Sequence, residues 1–82
     1  MTVAVLYFAA LRELLGLQEE TLVGLAGPFS VQSFGELLGR RHPQLVPHLA
    51  SVRFAVNEVF AAADAVIEDG DTVALIPPVS GG

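Results

Sequence analysis

The side chains that could do chemistry in this sequence are few: two histidines, a group of carboxylates and, at the end, two glycines carrying a carboxylate. His42 and His48 each neighbour a proline, and neither a cysteine nor an E-x-x-H spacing accompanies them. They read as surface turn histidines rather than metal ligands, and no metal site is expected. Asp64, Glu68, Asp69 and Asp71 lack the D-x-D-x-D-G spacing of a calcium loop, so they read as a turn. No glycine-rich loop precedes a helix in phosphate-binding spacing, and no serine sits in a G-x-S-x-G elbow. An autonomous enzyme is not expected.

The closing stretch "IPPVSGG" is different. Two terminal glycines arise by chance in roughly 0.5% of chains, so the ending asks for a reason. Pro77 and Pro78 lack a backbone N–H, which stops strand pairing, and their fixed φ projects the chain outward. Residues 79–82 span at most about 14 Å when extended, enough to enter a neighbouring protein. Gly81 and Gly82 can pass where any Cβ would jam. The pattern describes a carboxylate delivered into another protein's active site. A carboxylate is a poor electrophile and must first be activated, as an acyl-adenylate made with ATP. Sulfur or an amine then displaces AMP, so the chain acts as a cosubstrate.

Elements that must position this tail follow from periodicity. Val3–Phe8 is a β-branched and aromatic run, apolar on both faces as a central strand would be. Ala9–Leu15 reads as a helix with Phe8, Leu11, Leu14 and Leu15 on one side, Arg12 and Glu13 outward and Gly16 as its stop. Glu19–Leu25 is a weaker strand, with Gly24 pointing to an edge position or a bulge and Gly27-Pro28 closing it. Ser30–Arg41 is the main helix, capped by Ser30 or Ser33, with Val31, Phe34, Leu37 and Leu38 as its buried stripe. Pro43–Ala50 reads as an irregular turn, followed by strands at 52–57, 59–62 and 71–76. The expected class is α+β: a mixed sheet of about five strands against one main helix, with a short extra helix after the first strand. That order is the β-grasp, or ubiquitin-like, arrangement. Residues 1–78 form the domain and residues 79–82 a flexible Gly-Gly tail.

With 52% hydrophobic and 16% charged residues, the chain is globular. Its net charge of −5 argues against nucleic acid, and no run is long enough for a membrane span. Arg40 and Arg41 suit the C-terminal end of a helix. With no cysteine, and with the first residues "MTVAVLYFAA" lacking the basic n-region of a signal peptide, a cytoplasmic protein is expected.

"VLYFAALRELLG" and "FAVNEVF" through "IEDGDTVALIPPVSGG" resemble the MoaD family, small subunits of molybdopterin synthase. The resemblance covers nearly the whole chain and is strongest in Val5–Gly16 and Phe54–Gly82. The F-A-x-x-R-E segment, Phe8–Glu13, separates this group from the thiamine sulfur carriers, and Ser80 stands where the family often has threonine. The resemblance implies a β-grasp sulfur carrier whose Gly82 is adenylated by an E1-like enzyme and then thiocarboxylated from a sulfur donor. ATP and magnesium serve that enzyme, and no cofactor is bound by this chain. It further implies that the tail, with Gly81 in the passage, enters a large subunit in a heterotetramer of two small and two large subunits. There two sulfurs reach cyclic pyranopterin monophosphate and form the molybdopterin dithiolene. Docking would use an apolar patch including Phe60 and Ile76, with Pro77, Pro78, Val79 and Ser80 leading in. Read from the residues alone, Phe60 and Ile76 fit a core as well as a patch. Competing readings are sulfur supply to tRNA thiolation or thiamine, a ubiquitin-like protein modifier, and a plain interaction module.

Overall fold

The structure, a computed structural model, describes residues 1–78; the expected tail, residues 79–82, lies outside the described residues. In chain order the elements are β1 (Val3–Tyr7), α1 (Ala9–Leu15), β2 (Glu19–Leu22), β3 (Phe29–Ser30) and α2 (Val31–Arg41). A 3₁₀ helix (Pro43–His48) follows, then β4 (Arg53–Val56), β5 (Val59–Phe60), β6 (Val66–Ile67) and β7 (Thr72–Ile76). Five strands form one mixed sheet in the order β2-β1-β7-β4-β5, and β3 pairs with β6 in a separate two-stranded ladder. β7 lies at the centre, parallel to β1 and antiparallel to β4. This is the β-grasp arrangement, and Glu19–Leu22 is an edge strand as Gly24 suggested.

Alternation along the strands decides which side is buried. Val3, Val5 and Tyr7 of β1 and Val73 and Leu75 of β7 are at most 1% exposed and face α2. From the helix, Val31, Phe34 and Leu38 close on them at i, i+3, i+7 spacing. Each fully buried side chain of this size contributes about 1.5–3 kcal/mol relative to exposure. Gly35 and Gly39 are also buried on this helix, and a Cβ at Gly35 would lie 3.2 Å from the Phe54 ring. Ser30 caps α2, its Oγ accepting the Ser33 N–H at 3.0 Å. Gly16 ends α1 in the left-handed region at φ 68°.

The structure corrects several sequence expectations. β1 is not apolar-packed on both faces: Ala4 and Leu6 stay half-buried because no element covers that side of the sheet. On α1 only Leu11 is buried, whereas Phe8 and Leu14 are 43% and 40% exposed, since a seven-residue helix offers the core barely one turn. Residues 43–48 are a 3₁₀ helix with Leu45 fully buried, not an irregular turn; Pro43 at its start has the helical φ already set. β2 stops at Leu22, before the left-handed Gly24 at φ 71°.

Candidate functional site

Central placement of β7 determines where the end of the chain goes. The strand is paired on both sides as far as Leu75, and the β4 register continues to Ile76, whose partner is Arg53. Pro77, half-buried, and Pro78, exposed, then carry the chain off the sheet. Nearby, the Phe8 N–H donates to the Leu75 carbonyl at 3.3 Å, which sets the exposed Phe8 beside the exit. Of the tail residues proposed to react or dock, Val79, Ser80, Gly81 and Gly82 lie outside the described residues.

Phe60 is positioned by a hairpin. Asn57 and Glu58 have φ of 51° and 71°, the two positive values that a two-residue turn of the twisted hairpin type requires. Asn57 also ties the hairpin to the start of β7: its Oδ1 accepts the Thr72 N–H and its Nδ2 donates to Asp71 Oδ1, both at 2.9 Å. The register that results sets Phe60 opposite Ala55. Across the sheet, one row then reads Glu19, Leu6, Ala74, Ala55, Phe60, all on the face away from α2. Ile76 and Arg53 pair in the next such row toward the exit. Phe60 is 54% exposed, so it is not a core residue, and Ile76 is half-buried on the same face. The Arg53 guanidinium lies 4.0 Å from the Phe60 ring centroid.

Behind this rim a groove of about 650 Å³ runs between α2 and the β4–β5 edge, with Val31, Gly35 and Phe54 among its walls and Arg53 and Phe60 at its lip. Arg53 and Phe8 were not singled out as site residues in the sequence. The signal for Arg53 was present: a two-residue turn between "VRFAV" and "VF" aligns Ala55 with Phe60 and sets Arg53 on the same face.

At the other edge the structure gathers a polar cluster whose members lie far apart in sequence. Glu20 Oε2 accepts from the Tyr7 hydroxyl and from His42 Nε2, each at 2.6 Å, and Oε1 accepts from Arg41 Nε at 2.8 Å. A carboxylate accepts only, so Nε2 of His42 carries the hydrogen. His42 is therefore not a surface turn histidine; its side chain is 18% exposed and its ring meets Tyr7 edge-on at 5.9 Å. Burial works to raise the Glu20 carboxyl, but the hydrogen bonds from Tyr7, His42 and Arg41 outweigh it and hold the group below the usual carboxylate value. Burial first, then the hydrogen bond to Glu20 and its charge, push the Tyr7 phenol well above its ordinary value. These groups are spent on one another, and Arg41 also borders a small cavity of about 180 Å³ beside Thr21 and Leu37. In the 68–71 turn, Asp71 Oδ2 accepts the Glu68 N–H and Asp69 Oδ1 accepts the Thr2 N–H. Among the described residues, no three His, Asp or Glu side chains are grouped to hold a metal ion, and no helix is long and apolar enough to cross a membrane.

A β-grasp sheet whose central strand runs out beside a bare, largely apolar face defines the class of ubiquitin-like proteins, and solved structures agree. The chain is similar to a putative molybdopterin converting factor subunit 1 from Pyrococcus furiosus (TM-score 0.81, 32% identity, 96% of this chain and 99% of that one). It is similar also to SAMP1 from Haloferax volcanii (TM-score 0.87, 27% identity, all of both chains). A complex of subunits 1 and 2 of the molybdopterin-converting factor from Helicobacter pylori contains the same fold (TM-score 0.68, 22% identity, all of both chains). The ThiS family model matches residues 5–82. A molybdopterin synthase sulfur carrier subunit from Mycobacterium tuberculosis is 38% identical over 80 residues, covering 98% of this chain and 96% of that protein. The chain belongs to the ThiS family, alongside sulfur carrier subunits of the MoaD type.

Proposed function

We propose that this chain is the sulfur carrier of a molybdopterin synthase and a cosubstrate rather than a catalyst. The observation that carries the reading is the end-to-end match to curated sulfur carrier subunits, such as the 38% identity over 98% of the chain. The Gly82 carboxylate attacks the α-phosphorus of ATP on an E1-like enzyme, with magnesium, and releases pyrophosphate. A sulfide equivalent from a donor then displaces AMP and leaves a thiocarboxylate. The large subunit receives the tail, and the thiocarboxylate sulfur, ionised and nucleophilic, attacks an activated carbon of cyclic pyranopterin monophosphate, forming a C–S bond as the C–O bond at that carbon breaks and its oxygen leaves. Hydrolysis returns the carboxylate, and a second loaded carrier supplies the second sulfur of the dithiolene. Two small and two large subunits make up the assembly. The large subunit grips the face carrying Phe60 and Ile76, and Pro77 and Pro78 direct Val79, Ser80, Gly81 and Gly82 into it. The reactions take place in the cytoplasm.

Intact mass tests the reading. Incubation with ATP, magnesium, a cognate E1-like enzyme and a sulfur donor should add the difference between a sulfur and an oxygen atom, and removal of Gly82 should abolish the gain. A loaded carrier with its large subunit should then convert the pterin. An unchanged mass, with the same enzyme active on another carrier, sinks the proposal. A second reading, a protein modifier forming isopeptide bonds, is favoured by the likeness to SAMP1. It predicts higher-mass conjugates through Gly82, which a carrier serving the pterin alone does not form.

A further inference from the structure

Arg53 is an odd charge in its surroundings. The chain is acidic, with nine carboxylate residues against four arginines, yet the ion pairs among the described residues converge on Glu20 and involve Arg41 and His42. Arg53 is exposed, has no carboxylate within ion-pair distance among the described residues, and stacks on Phe60 instead. Glu36, on the other wall of the groove, does not reach it. With its carbon 4.0 Å above the ring centroid, the guanidinium still has N–H groups to donate to a bidentate carboxylate. Arg53 is also the register partner of Ile76, the last residue of the strand that delivers the tail. A protein that encloses the tail close to the sheet must cover this guanidinium. Covering it with apolar surface alone would strand a desolvated charge, whereas a carboxylate opposite it restores the lost solvation and fixes the register of docking.

Resting on the sulfur-carrier reading, we infer that Arg53 is the specificity-determining residue of the docking face. It pairs with a carboxylate on the large subunit, within a patch otherwise made of Phe60, Ile76, Leu6 and Ala74. Stacked on Arg53, the Phe60 ring is held in place before the partner arrives, so the face is preorganised for an apolar surface bearing one acidic group.

Dissociation constants for the large subunit, measured at two ionic strengths, test this. Wild type is compared with R53M, which keeps an apolar stem over Phe60, with R53E, and with R40E, which changes net charge equally at the far end of α2. The inference expects R53M to weaken binding on the order of tenfold or more and R53E on the order of a hundredfold, with R40E near wild type. The R53M complex should lose part of its salt sensitivity, which a role confined to packing would leave intact. Thermal unfolding should stay within a degree or two for R53M and R53E, since an exposed arginine without an ion pair holds little of the fold. R40E, in the last turn of α2, should lower it by a few degrees through the helix dipole. R53M binding as wild type, or R40E weakening as much as R53E, overturns the inference while leaving the carrier reading standing. Wild type failing to bind the large subunit overturns both.

Discussion

The two edges of the main sheet are finished in opposite ways. At the β2 edge, Glu20 draws in Tyr7, Arg41 and His42, so strand and helix end are tied by polar groups that satisfy one another. At the β5 edge, Phe60 and Val59 stand 54% and 68% exposed, and a groove opens behind them. One edge is closed by the chain's own side chains. The other keeps apolar surface in water, a cost to the isolated protein that a partner can reverse. The contrast sets the polar ties that hold the fold apart from the face proposed to dock, and substitutions at the two edges should have separable effects.

The largest expected effect is at the open edge. F60A should weaken docking by about 2–4 kcal/mol, as loss of a central aromatic anchor does, while unfolding by denaturant changes by less than about 0.5 kcal/mol. A large loss of stability in F60A would place Phe60 among the fold's supports and break the comparison. Next comes the closed edge: E20A leaves the Tyr7 hydroxyl and His42 Nε2 without their acceptor and should cost about 1–3 kcal/mol of stability with docking affinity unchanged. Arg41, half exposed, accounts for little of that.

The same cluster fixes a pH dependence. Glu20 is held below its ordinary value of 4.5, so its contribution is complete above that pH. As pH falls from there through the lower folded value, the unfolded chain takes up the proton first and the contribution is lost. Urea midpoints from about pH 6 down to about pH 3 should fall more steeply for wild type than for E20Q. Parallel curves would remove Glu20 from the stability of that edge. The smallest effect is G35A, under the groove. Alanine gains about 1 kcal/mol of helix propensity, offset by crowding against the Phe54 ring, so stability should stay within about 0.5 kcal/mol.

Local signals made much of the fold legible. The stop at Gly16, the cap at Ser30 (one of the two serines the sequence offered), the bounds of α1 and the end of β7 at Ile76 rest on residues whose preferences act within a few positions. Features built from distant partners were not legible. The β3–β6 ladder has two residues on each side, too few to show a period, and residues 43–48 look like a turn because two prolines mask a 3₁₀ helix. Tyr7, Glu20, Arg41 and His42 meet only once the sheet and α2 are assembled, so His42 gave no sign of a buried partner. Phe60 and Ile76 were read through resemblance, since either suits a core; only the register across β4, β5 and β7 sets both on the uncovered face.

The central position of β7 has a mechanical consequence. A partner that grips the end of the chain and moves relative to the domain pulls β7 along its own axis. Its hydrogen bonds to β1 and β4 lie across that direction, so they bear the load together in shear instead of peeling one at a time. Pulled from the end of β7, the domain meets the load as one sheet rather than strand by strand.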